Sequence, residues 1–346
     1  MNPNSNASHK HAHQRVSYRL LQSASVFLLM LILCAISAVR TETFFTWTNI
    51  VDNLLTNAAC LGIIACGMTF VMVGGGFDLS VASTTAVCSV VVVLLLQACA
   101  QAPPWLAVSA AVLVAAAVGA ALGLFNGAVI AYVGVNPFVV TLSTMLIFRG
   151  LALILTGGGQ TIMVPLSISD AFGKIYWGGI TLTGGNQPNR ITIPILIFLG
   201  VFLVALYLLR YTRFGHYVYC IGGNENAAWL AGINTNLVKT LTYAICGLTC
   251  SIAAVIYVGM SSTAQAASYL GLELLVIASV IVGGTPLGGG TGGLLYTLNG
   301  LLLLAVIENL LAQFGVNEES RKIVRGLIIL VVVSIDVLVR RKTSRR

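Results

Sequence analysis

Residues 50–100 read IVDNLLTNAACLGIIACGMTFVMVGGGFDLSVASTTAVCSVVVVLLLQACA. An apolar run, 50–73, meets Gly74-Gly75-Gly76-Phe77-Asp78-Leu79-Ser80, and a second apolar run covers 80–100. Each run matches the roughly 20 residues that an α-helix needs to cross a hydrocarbon core about 30 Å thick. The glycines release the chain from helix, so Gly75 and Gly76 mark a helix break, with Asp78 or Ser80 placed to cap the next helix. The alternative role for Asp78 is a proton-carrying carboxylate, since charge near a membrane interior is a functional candidate.

Working outward, the same pattern gives apolar stretches at 20–39, 105–132, 138–156, 192–210, 238–259, 270–284, 293–313 and 323–339. The chain has 346 residues, 58% hydrophobic and 8% charged, against about 25% charged in a soluble domain. Lipid must therefore solvate much of it. The runs lack the two-residue alternation of a membrane barrel. The expected fold is an all-α integral membrane protein of about ten transmembrane helices.

Orientation follows from Lys and Arg, which favour the cytoplasmic side. With both termini cytoplasmic, that side collects Lys10, Arg15, Arg19, Arg210, Arg213, Lys239 and the tail Arg340, Arg341, Lys342, Arg345 and Arg346. The outer side holds Arg40, Lys174, Arg190, Arg321, Lys322 and Arg325. This divides the chain into a polar cytoplasmic tail (1–19), one transmembrane domain (20–340) and a basic cytoplasmic tail (341–346). A periplasmic loop (157–190) is expected to carry a short interfacial helix, and a cytoplasmic loop covers 211–237. The run 20–39 exceeds a signal peptide's usual h-region and reads as a retained first span. The positive balance of +8 lies in tails and loops, which argues against a nucleic-acid partner and for contact with membrane lipid.

Several chemistries find no footing. The Gly-rich run 283–293 lacks the Lys-Ser/Thr end of a phosphate loop. Three of the four His residues, His9, His11 and His13, lie in the N-terminal tail, which leaves no His-based catalytic site within the spans. Cys246 and Cys250 share a helix face, but no His or carboxylate accompanies them, so packing is the expected role and no metal is implied. Intramembrane charges Asp78, Arg149, Glu273 and Glu308 are functional candidates by default, with Asp52 and Asp336 nearer span ends. Gly283 and Gly284 form a second helix break. Asn126, Asn136, Phe138, Thr141 and Ser143 are candidates to line a translocation path, although Ser and Thr also simply satisfy helix backbone.

The cytoplasmic loop is the most polar stretch between spans. It reads Arg213-Phe214-Gly215, then Gly222-Gly223-Asn224, then Ala227-Ala228, then Gly232-Ile233. Asn224 is suited to cap a short helix, the alanines favour it, and Gly232 is suited to end it.

Together these residues resemble the permease subunit of bacterial ABC sugar importers of the ribose/galactose/xylose type. Gly75-Gly76-Phe77-Asp78-Leu79-Ser80-Val81 resembles one family segment. Asn136-Pro137-Phe138-Val139-Val140-Thr141-Leu142, with Arg149-Gly150 and Thr156-Gly157-Gly158, resembles a second. Thr212-Arg213-Phe214-Gly215, with Gly222-Gly223-Asn224 and Ala227-Ala228, resembles the coupling segment. Gly283-Gly284-Thr285, with Gly288-Gly289 and Gly292, resembles a Gly-rich turn. Phe77, Ala82, His216 and Pro286 depart from the family pattern.

The resemblance implies a type II ABC importer-like permease in the bacterial inner (plasma) membrane, with no catalytic residue and no cofactor of its own. ATP and Mg would sit on a cytoplasmic ATP-binding subunit that the segment Asn224–Ile233 engages. A periplasmic or extracellular sugar-binding protein would deliver a monosaccharide or similar small polar solute, and a second permease copy or a homologous permease would complete the path. The residue reading alone leaves a stand-alone secondary transporter or channel as the alternative.

Overall fold

The computed structural model describes residues 26–182 and 189–344. The first span's residues 20–25, the His-containing tail, and Arg345 and Arg346 lie outside the described residues, as does the side chain of Asp336. The helices are α1 (Val26–Arg40), α2 (Thr48–Val73), α3 (Val81–Ala98), α4 (Pro104–Val133) and α5 (Pro137–Leu155). Then come α6 (Leu166–Trp177), α7 (Ile193–Tyr211), α8 (Arg213–Gly223), α9 (Glu225–Leu230) and α10 (Thr235–Ser261). The last three are α11 (Leu272–Gly283), α12 (Leu294–Gln313) and α13 (Glu318–Ser344).

Seven of these, α2, α3, α4, α5, α7, α10 and α12, are long and apolar enough to cross a membrane. Helices α1 and α11 are shorter and apolar. With α13, these helices coincide with the ten apolar stretches within a few residues at each described end. Strands are few: β1 (Ile162–Met163) pairs with β4 (Thr263–Ala264), and β2 (Gly179–Leu182) pairs with β3 (Asn189–Thr192), both antiparallel.

Helix α2 begins as a π-helix over Thr48–Leu55 and continues as α-helix. From Thr56 to Val73 only Asn57 is not buried. A helix that is apolar all round has no solvent face and belongs at the centre of a bundle. There it packs against α10, α7, α11 and α12. The most extensive helix–helix contact among the described residues is α4 with α10. Gly119, Gly123 and Gly127 line one face of α4; a Cβ on Gly123 would meet the Tyr243 carbonyl oxygen at 2.2 Å, and one on Gly119 the Gly247 oxygen at 2.4 Å. In lipid, where apolar surface alone drives little association, small residues at four-residue spacing let backbones approach and recover packing energy.

The segment 157–190 carries α6 with Ile168, Phe172 and Tyr176 buried beneath it. The turns at 74–80 and 284–293 meet α8 at one end of the bundle, whereas α6 and the hairpin β2–β3 lie at the other.

Candidate functional site

Helices α8 and α9 form a compact unit at the glycine-turn end. Thr212 caps α8 by accepting from the Gly215 N–H (3.3 Å), and Asn224 caps α9 by accepting from the Ala227 N–H (3.0 Å). Gly232 takes a left-handed φ of +83°. Its N–H donates to the Trp229 carbonyl (2.9 Å), and the Ile233 N–H donates to the Ala228 carbonyl (3.1 Å). This is the paired bonding of a Schellman end, which a β-carbon at Gly232 would strain. Lys239 at the start of α10 forms an ion pair with Glu225 in the first turn of α9.

The ten coupling candidates divide by direction. Arg213, Gly223, Asn224, Ala227 and Gly232 are exposed. Phe214 instead stacks on Phe70 with centroids 6.1 Å apart. Gly215 is buried, and a Cβ there would meet the Leu209 oxygen at 2.1 Å. Gly222 lies against Val73 and Gly290, and Ala228 is buried with Ile233 packed beside it. The outer face of α9 presents Trp229 and Leu230, 66% and 77% exposed. Sequence reasoning passed over these two. Their signal is two large apolar side chains in a loop otherwise built of small and polar residues.

The glycine turns pack directly on this unit. Gly290 N–H donates to the Val73 carbonyl (2.8 Å), and a Cβ on Gly289 would meet the Gly75 backbone at 2.6 Å. Gly75 and Gly284 have φ of +86° and +117°. A Cβ on Gly76 would meet the Tyr243 hydroxyl at 2.6 Å, and one on Gly283 the Tyr296 oxygen at 1.9 Å. Asp78 Oδ1 accepts from the Ser80 N–H (2.8 Å) and hydroxyl (2.6 Å), and Asn126 Nδ2 donates to the Ser80 oxygen (2.8 Å). Ser80 occupies the N-cap position of α3, but its hydroxyl serves this network rather than the helix N–H groups. Burial pushes the Asp78 carboxyl above its ordinary range, and the bonds from Ser80 and Asn126 oppose that.

The five path candidates lie in unlike settings. Asn126 is buried between α3 and α4. Asn136 caps α5 through the Phe138 N–H (2.8 Å). Thr141 is buried and bonds the Pro137 carbonyl (2.8 Å). Phe138 and Ser143 lie on the exposed face of α5. Among the intramembrane charges, Arg149 donates to the carbonyls of Ala266 and Ser268. Glu308 finds the partner that the sequence left unnamed in Arg325, with a bidentate pair closed by Arg325 Nη2 to Glu308 Oε2 (2.7 Å).

A cavity of about 540 Å³ opens at the opposite end, where α2 begins, α12 ends and α13 starts. Its polar lining includes Asn49, Asn53 and Asn57 from α2, Glu308 and Asn309 from α12, and Arg325 from α13. None of its polar residues but Glu308 was a functional candidate from sequence. The asparagines recur at four-residue spacing, one stripe along a helix, and that is the signal they left.

A helical bundle of apolar spans, with a capped short helix pair projecting from one end and a polar cavity at the other, is the architecture of a multi-pass membrane protein. Residues 50–333 match the family described as branched-chain amino acid transport system / permease component, and the chain belongs to it. It is 38% identical to the ribose import permease protein RbsC of Escherichia coli K12 over 309 residues, covering 89% of this chain and 91% of that one. The L-arabinose transport system permease protein AraH of the same strain is 34% identical, covering 90% and 88%. The galactose/methyl galactoside import permease protein MglC is 32% identical, covering 92% and 95%. The chain is accordingly a permease subunit of an ABC importer, resident in the bacterial inner (plasma) membrane.

Proposed function

We propose that this chain forms the membrane path for a monosaccharide or similar small polar solute, as one of two permeases driven by a separate ATPase. The reading extends the ribose, arabinose and galactose named for the relatives to this chain. The observation that carries it is the α8–α9 unit: a six-residue helix fixed at both ends, with Trp229 and Leu230 turned out of the bundle. A large apolar pair left mostly exposed among the described residues is suited to a cleft on another subunit. Segment Asn224–Ile233 would seat there and transmit movement through the glycine turns.

In this scheme ten spans cross the membrane, both termini are cytoplasmic, and 157–190 faces the side where a sugar-binding protein docks. ATP and Mg belong to the ATPase, and a cycle of binding and hydrolysis shifts the permease pair between outward-open and inward-open states. The permease contributes contacts that differ between those states, not bond chemistry.

The test is reconstitution of the chain in liposomes with its co-purifying ATPase and binding protein. Uptake should require all three and ATP. Replacing the exposed Gly223 with Trp should leave the protein inserted and abolish uptake. Solute movement by the chain alone, or normal uptake by G223W, would count against the proposal.

A further inference from the structure

The cavity at the α2–α12–α13 end has the chemistry of a sugar site. We infer that it is a solute subsite within the single permease chain, binding a neutral polyhydroxylated molecule of monosaccharide size. The inference rests on the importer reading for the class of solute and on the cavity's geometry for the place.

Size comes first. A volume of about 540 Å³ falls inside the roughly 300–1,000 Å³ of small-molecule pockets. The wall is held before any ligand arrives. Asn49 and Asn309 bond each other reciprocally, Nδ2 to Oδ1 at 3.1 and 2.9 Å, and Asn49 Nδ2 also donates to the Phe44 carbonyl (2.9 Å). Asn57 Nδ2 donates to the Asn53 carbonyl (2.7 Å), which leaves its amide oxygen available, while the Asn53 side chain has no partner among the described residues. Arg325 is fixed between Glu308 and Glu318, and Arg321 also reaches Glu318 (3.3 Å).

Charge selects the ligand. Both arginines of the lining are matched by glutamates, so neither an anion nor a cation is favoured. What remains on offer is a set of neutral amide donors and acceptors, and one orphan. Arg321 Nε is buried without a hydrogen-bond partner, an arrangement that costs free energy until an acceptor arrives. A hydroxyl can accept there and donate to an amide oxygen with the same atom, and a ring carrying several hydroxyls can meet several of these groups at once. Leu61, Leu275 and the ring of Tyr257 also line the cavity and offer apolar surface suited to the C–H face of a sugar ring.

With the basic loops inside, this mouth opens outward, where a delivered sugar would enter. The probes are D-ribose, L-arabinose and D-galactose. An Asn53→Cys variant of the full chain is labelled in intact cells with a membrane-impermeant maleimide, with the wild-type rate subtracted. Labelling should occur, and at least one probe at millimolar concentration should slow it tenfold or more. In nanodiscs, the Asn53→Leu/Asn57→Leu double variant should weaken direct binding of that sugar at least tenfold. Both positions are solvent-facing, so the change leaves the packed faces alone.

A labelling rate unchanged by all three sugars would overturn the subsite. So would sugar binding that survives the double variant, or a co-purifying phospholipid whose headgroup occupies the cavity and is not displaced by sugar. Loss of ATP-driven uptake in the wild-type assembly is a separate failure. It would sink the importer reading, while maleimide protection would still report the cavity.

Discussion

Gly222 and Gly223 are neighbours of identical chemistry in unlike surroundings. A Cβ on Gly222 would sit 1.9 Å from the Val73 oxygen and 2.4 Å from the Gly290 nitrogen, both backbone atoms that cannot swing aside. A Cβ on Gly223 would meet nothing within 4 Å. Gly222→Ala should therefore cost about 1–3 kcal/mol through overpacking, read as a lowered thermal unfolding temperature in detergent. Gly223→Ala should stay within about 0.5 kcal/mol. Equal shifts for the two would mean that the glycine turns do not pack on α8 as described. The same contrast shows what the sequence could not convey. It singled out ten residues of the loop as one group, yet Phe214, Gly215, Gly222 and Ala228 face inward, and the outward pair Trp229 and Leu230 went unnoticed. On α5, Thr141 turns in and Ser143 turns out. Lipid and protein core are both apolar, so hydropathy in a span carries little record of direction.

At the scale of the element, the ends were the legible part. Asn224, the alanines and Gly232 pointed to a short capped helix, and α9 runs from Glu225 to Leu230 between that cap and that glycine. Caps are local chemistry, written within a few residues, which is why sequence alone located them. They also make α9 easy to loosen without touching the bundle. Asn224→Ala removes a cap worth about 1 kcal/mol, and Gly232→Ala puts a β-carbon into a left-handed φ at about 1–2 kcal/mol. Hydrogen exchange should report each change. Amides of 225–231 should exchange about fivefold faster in N224A, since 1.4 kcal/mol is tenfold, while amides of α2 and α10 keep their protection. Slowed ATP-driven uptake with normal insertion should accompany it if α9 is the coupling element. Unchanged exchange across α9 would mean that other contacts, such as the Glu225–Lys239 pair, already hold the helix.

At the scale of the molecule, span positions were readable because a hydrocarbon core demands some 20 apolar residues in a row, and a chain folding in water rarely carries such a run. The polar cavity was not, because its walls come from segments far apart in the chain. Asn49 meets Asn309 across 260 positions, and no local pattern joins them. Topology links the two ends. The proposed ten-span arrangement would put α8–α9 and both termini on one side and α6 with the cavity on the other. The basic loops favour that assignment, because short loops rich in Lys and Arg stay cytoplasmic. Alkaline phosphatase, active only outside, should be active when fused within 157–190 and inactive when fused after Arg346 or within 211–237. Activity at the C-terminal fusion would require an odd number of crossings. It would point to α1 or α11, the two shorter apolar helices, as the one that fails to span. If the failing helix were α11, a wall of the cavity would change depth, and the outward opening argued for it would have to be abandoned. If it were α1, with the N-terminal tail held inside, every later loop would change sides, the cavity and α9 keeping their relation to each other but exchanging faces of the membrane. Fusions after Arg40 and after Leu270 separate those two cases.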